Sequence, residues 1–127
     1  MSELGYTIES DKSIDEASAS LEKITPDNNF RILAIHNVKE TLAEKGFEIK
    51  PLKIYELCNA GFAHKALRKD IDVAMFMPCK IVLRKDDKKT IITLVRPSMI
   101  SKMLPDSGLE DLAGNVEKQL KELIENI

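Results

Sequence analysis

The sequence predicts an α+β domain of two layers, a mostly antiparallel sheet with helices on one face. Three observations lead there. Strand-like and helix-like segments follow one another as β-α-β-α-β-α-β-β-α along the 127 residues. Two neighbouring segments, "CKIVLRK" and "KTIITLVRP", flank "DDK" and read as a hairpin, which makes their pairing antiparallel. The chain then runs into a long amphipathic helix whose apolar stripe needs a layer to cover.

The elements follow in order. "GYTIES" alternates as a first strand. In "SIDEASASLEKI", Ile14, Ala17, Leu21 and Ile24 recur at helical spacing, and Ser13 with Glu16 forms a capping box. Pro26 in "TPDNN" is expected to stop that helix. "FRILAIH" is the second strand, with Phe30, Ile32, Ala34 and His36 expected on one face and Arg31, Leu33 and Ile35 on the other. "NVKETLAEKG" is a short helix capped by Asn37, with Glu40 at the reciprocal position, and ended by Gly46.

"LKIYELC" alternates Leu52, Ile54, Glu56 and Cys58 against Lys53, Tyr55 and Leu57, as a third strand does. "NAGFAHKALRKD" is the next helix, with Phe62, Ala63, Ala66 and Leu67 as its apolar stripe. Arg68 and Lys69 complement the carbonyl end of its dipole. After the hairpin, "MISKMLPDSG" reads as a loop, too short and too apolar to link domains. In the closing helix, Leu109, Leu112, Val116, Leu120, Leu123 and Ile127 share a face, and Ser107 with Glu110 suggests a second capping box. There is no repeat and no low-complexity segment, so residues 1–127 are expected to form one domain.

Composition removes several classes of function. The formal net charge is -2, so no overall basic field draws nucleic acid or an anionic membrane. Two Tyr, four Phe and no Trp give no stacking platform for single strands. No apolar run approaches the roughly 18 residues of a membrane span. The opening "MSELGYTIESDK" lacks the regions of a signal peptide, so a cytoplasmic location is expected, and with it two free thiols rather than a disulfide. A Gly-rich phosphate loop, a Gly-x-Ser-x-Gly elbow and a His-Glu-x-x-His motif are all missing, and no reaction can be named.

What chemistry the chain offers gathers around "YELCNAGFAHKAL" and "MFMPCK". Asn59 is a good N-cap, which leaves Cys58 just outside a helix N-terminus, where the dipole can make a thiol more acidic. The plainer reading is a small apolar residue ending a strand. Pro78 belongs at a strand's first residue or edge, so Cys79 opens a strand as Cys58 closes one. Ends of strands beside helix starts are where pockets form. His36 and His64 are outer candidates. With the two thiols they would suit zinc, but no paired Cys or His spacing supports it, so neither a metal nor a cofactor is expected. The charges of "KIVLRKDDKK" read as a solvated turn, and Arg96 either binds an anion or pairs with an acidic neighbour.

The stretch from Cys58 to Pro97 resembles the family called domain of unknown function 302. That family's pattern opens a helix with Cys-Asn-Pro, continues with alanine and leucine, passes an Asp-Pro, and closes on Pro-Cys before a hydrophobic hairpin. Cys58 and Asn59 match the opening, Ala63 and Leu67 the helix, Asp70 the acidic turn, and Pro78 with Cys79 the closing pair. Ala60 and Ile71 stand where the family often has proline, substitutions the fold tolerates. The resemblance implies a two-layer fold like the β-α-β(4)-α arrangement of the TATA-binding-protein-like class, and a homodimer. It implies no established reaction, and DNA binding does not follow from a fold name.

The expectation is therefore a small cytoplasmic, homodimeric binding or accessory domain. Its pocket for a small molecule would be lined by Cys58, Asn59, Pro78 and Cys79, with His36 and His64 further out. The alternative is a thiol redox or sulfur-handling protein, with Cys58 as nucleophile and Cys79 as resolving partner.

Overall fold

The computed structural model describes residues 3–127. Five strands, β1 (Gly5–Ser10), β2 (Arg31–Asn37), β3 (Leu52–Cys58), β4 (Cys79–Asp86) and β5 (Lys89–Val95), form one sheet in the order β1-β5-β4-β3-β2. Every neighbouring pair is antiparallel. The helices are α1 (Ile14–Asp27), α2 (Val38–Ala43), α3 (Ala60–Lys69), α4 (Ser98–Met103) and α5 (Glu110–Glu125). Two short 3-10 segments, Ile71–Phe76 and Pro105–Ser107, lie between them. The fold is α+β, as the sequence predicts.

Alternation along the strands decides which side of the sheet is covered. Tyr55, Leu57, Ile81, Leu83, Ile92 and Leu94 share a core with Ala17 and Leu21 of α1 and with Val116, Leu120, Leu123 and Ile124 of α5. Slipping β3 by one residue would replace Tyr55 and Leu57 with Ile54 and Glu56 on that side. Burial of a large aliphatic side chain contributes about 1.5–3 kcal/mol, so the pattern fixes the register firmly.

Local signals set several of the helix ends. The Ser13–Glu16 capping box is present in both directions, at 3.1 and 3.0 Å. Asn37 accepts from the Glu40 N–H, and Gly46 takes the positive φ of 83° that a helix-ending glycine allows. Pro26, however, does not stop α1. It stands in the last turn, where its missing N–H removes only the one helical bond to the Glu22 carbonyl. The helix ends at Asn28, and Asn29 turns the chain with a φ of 65°.

Ser107 does not cap α5 either. Its hydroxyl donates to the Asp70 carboxylate, which ties the end of α3 to the approach of α5. The stretch read as a loop, "MISKMLPDSG", holds α4 and a 3-10 turn. Glu117, on α5, explains why α4 is ordered. Its carboxylate accepts from the Ser98 N–H at 3.0 Å and the Ser98 hydroxyl at 2.6 Å. Arg96 and Lys121 flank the same carboxylate at 3.4 and 3.2 Å. Arg96 also donates to the Glu3 carbonyl, so it pairs within the chain.

β2 also departs from the sequence pattern. A bulge between Ile32 and Ala34 breaks the expected alternation. Ile32 pairs with Leu57 and Ile35 with Tyr55, on the helix-covered side, while Ala34 and His36 pair with Glu56 and Ile54 on the other. The extra residue, Leu33, is 53% exposed. One inserted residue thus moves His36 to the face opposite Ile32.

Candidate functional site: a cavity beside Cys58 and Cys79

β3 ends at Cys58 and β4 begins at Cys79, and the two strands run side by side with Leu57 opposite Cys79. Cys58 is therefore one residue beyond the partner of Cys79. Asn59 turns the chain off the sheet into α3. Its side-chain oxygen accepts from the Phe62 N–H at 3.1 Å, and its amide donates to the Asn29 carbonyl at 2.9 Å. One side chain thus caps α3 and ties it to the turn between α1 and β2. Pro78, just before β4, needs no ladder donor there.

Between these strand ends and the helices lies a cavity of about 80 Å³. Cys58, Asn59, Pro78 and Cys79 all line it. α3 contributes Phe62, Ala63 and Ala66 from its apolar stripe, although Leu67 is not part of the lining. The 3-10 segment adds Val73 and Phe76, with Met77 following. α5 and its approach close the far side with Leu109, Leu112, Ala113 and Val116, and Phe30, Leu57, Pro97 and Ile100 complete the wall.

His36 and His64 are not part of this lining. The β2 bulge puts His36 on the side of the sheet away from α1 and α5, where its ring lies 2.7 Å from Glu56 and is 53% exposed. His64 is exposed on α3, outside the Phe62–Ala63–Ala66 stripe. Among the described residues, no three of His, Cys, Asp and Glu stand together as a metal-binding group.

The wall is poor in polar chemistry. Among the described residues, no charged one lines the cavity, and both ends of the Asn59 amide are already engaged. Both cysteines are free thiols. Burial pushes the Cys79 thiol up to about 11; Cys58 adds to this, and Lys80 opposes it. Cys79 therefore keeps its proton at neutral pH and is a weak nucleophile there.

Sequence reasoning missed most of the wall because its residues come from distant segments. Leu109, Leu112 and Val116 were visible only as an apolar stripe, which reads as core. Val73 and Phe76 lie in a stretch with no clear period. The usable signal was that apolar residues of the 3-10 segment recur at i and i+3, as Val73 and Phe76 do.

Fold and cavity together define a two-layer α+β domain with an apolar cavity at the ends of two adjacent antiparallel strands. Among the described residues, no helix is long and apolar enough to cross a membrane. The family model for the domain of unknown function DUF302 matches residues 6–127, and the chain belongs to that family. It is similar to the crystal structure of an uncharacterized conserved DUF302 protein from Bacillus stearothermophilus, with 29% identity and a TM-score of 0.93 over 98% of each chain. No curated protein matches the chain.

Proposed function

We propose that this chain is a cytoplasmic, homodimeric, single-domain binding or accessory protein whose ligand site is the cavity beside Cys58 and Cys79. The supporting observation is convergence. Four residues singled out for their positions at strand and helix ends, Cys58, Asn59, Pro78 and Cys79, line one apolar cavity. Pockets of bound small molecules are mostly apolar with few polar groups, as this one is. The dimer draws support from the edge strand β2, where Leu33 and Ile35 are exposed on an unpaired edge that a second copy could cover. Thiol redox or sulfur handling by Cys58 and Cys79 draws less support, because a resolving thiol must ionise and Cys79 is held protonated.

The test is native mass spectrometry of the protein purified from its own cells under mild conditions. The proposal expects a small molecule at one per chain, lost from an Ala66→Leu variant that fills the cavity. A chain that carries nothing, in a variant-independent way, argues against it. Sedimentation equilibrium tests the dimer: twice the mass of one chain is expected, reduced to one chain by Ile35→Lys.

A further inference from the structure

We propose that the cavity takes the terminal alkyl group of an uncharged molecule, about three carbon atoms deep, with the rest of that molecule lying over Ile71 and Met75. This rests on the cavity being a binding site and adds the class of ligand.

Size comes first. An apolar cavity of about 150 Å³ holds the six carbons of benzene. At about 80 Å³, this one has room for roughly half as many. Chemistry comes next. The wall presents carbon, the sulfur-containing residues Cys58, Met77 and Cys79, and an asparagine whose amide is committed at both ends. Lys80, beside Cys79 in sequence, donates to the Pro78 carbonyl, and Arg96, beside Pro97, is held by Glu117 and the Glu3 carbonyl. An ion entering here would lose its hydration without gaining a partner, which is far more costly than burying an alkyl group. An ordered water needs two to four polar partners, which this wall does not offer, so an alkyl group displaces none.

The direction of entry follows from burial. On the α5 side Leu109, Ala113 and Val116 are buried and Leu112 alone is half-buried, whereas along α3 and the 3-10 segment Phe62, Ala63, Ala66, Phe76 and Met77 are half-buried and Val73 alone is buried. The cavity is therefore closest to the surface along α3 and the 3-10 segment. Beside the exposed Asp72, that segment also carries apolar residues on its outer side. Val73 and Phe76 face the cavity, while Ile71 and Met75 are 71% and 73% exposed. Methionine's flexible thioether adapts to ligand shapes, so a chain leaving the cavity meets an apolar shelf rather than water.

A series of straight-chain alcohols tests this on the intact protein. Ethanol, 1-propanol, 1-butanol and 1-hexanol are titrated while the amide resonances of Phe62, Ala63, Phe76 and Cys79 are followed by NMR. Propionate and propylammonium serve as charged probes of the same length. The expected result is saturable shifts at those residues, with affinity rising about fourfold per added methylene up to the depth of the cavity and less steeply beyond it. Ala66→Leu and, from the opposite wall, Ala113→Leu should each abolish the shifts; the spectrum of either variant reports whether it is folded, and one folded variant suffices. Saturable binding of the charged probes at least as tight as that of 1-propanol would overturn the ligand class and leave the binding site standing. No saturable shift with any probe would overturn both. Shifts that persist in a folded, cavity-filled variant would also overturn the proposal.

Discussion

Asn59 joins three pieces of the candidate site, and replacing it separates them. Asn59→Ala removes the acceptor for the Phe62 N–H and the donor to the Asn29 carbonyl. Loss of an N-cap costs about 1 kcal/mol. Loss of the second hydrogen bond costs about 1 kcal/mol more. The variant should therefore be less stable by about 2 kcal/mol, and with a urea m-value of about 1.5 kcal/mol/M its midpoint should fall by about 1.3 M. Asn59→Asp is the control. It keeps the cap acceptor and adds a charge that the helix N-terminus favours by about 0.3–1 kcal/mol, but it has no donor for Asn29. It should stay within about 1 kcal/mol of the unaltered protein. Urea unfolding followed by circular dichroism measures all three. A loss below about 0.5 kcal/mol for Asn59→Ala, or equal losses for both variants, would refute the assignment of two separate roles.

Further outcomes follow from the same geometry. Burial alone would raise the Glu117 carboxyl, but the Ser98 hydroxyl and N–H, Lys121 and Arg96 outweigh it and hold it below 4.5. A carboxyl lowered on folding stabilises above its unfolded value, so the stability advantage over Glu117→Gln should be full at neutral pH and shrink as pH falls below about 4.5, as chemical unfolding across pH will show. Cys79, held protonated to about 11, should react with a thiol reagent at pH 8 more slowly in the folded Cys58→Ser variant than after unfolding; equal rates would contradict its burial. Deleting Leu33 removes the bulged residue and leaves every β2–β3 pair intact, whereas deleting Ile35 carries His36 to the helix-covered side; thermal unfolding should find the second deletion the more damaging.

The fold was legible where one residue type has one physical task. Ser13 and Glu16 satisfy each other's backbone, Gly46 takes a positive φ, and Tyr55 and Leu57 are buried on either side of Glu56. It was not legible where the outcome depends on a distant partner. Ser107 leaves the expected cap because Asp70 is within reach, and α4 forms in an apparent loop because Glu117 holds its first residue. The β2 bulge leaves no mark in the sequence, since an inserted leucine among alternating apolar residues looks like one more strand position. That single residue decides where His36 goes. Near the cavity, the strand-end positions of Cys58 and Cys79 and the cap at Asn59 could be read locally. The apolar wall across from them could not, because α5 supplies it from about thirty to forty residues beyond Cys79.

The most direct test of the central claim, an apolar and reachable cavity beside Cys58 and Cys79, is a crystal structure determined under xenon pressure. Xenon enters dry apolar cavities and avoids hydrated polar ones. A xenon peak enclosed by Phe62, Phe76, Cys79 and Ala113 is expected. Side chains repacked to fill that space, or ordered water in it with no xenon, would show that no such cavity exists.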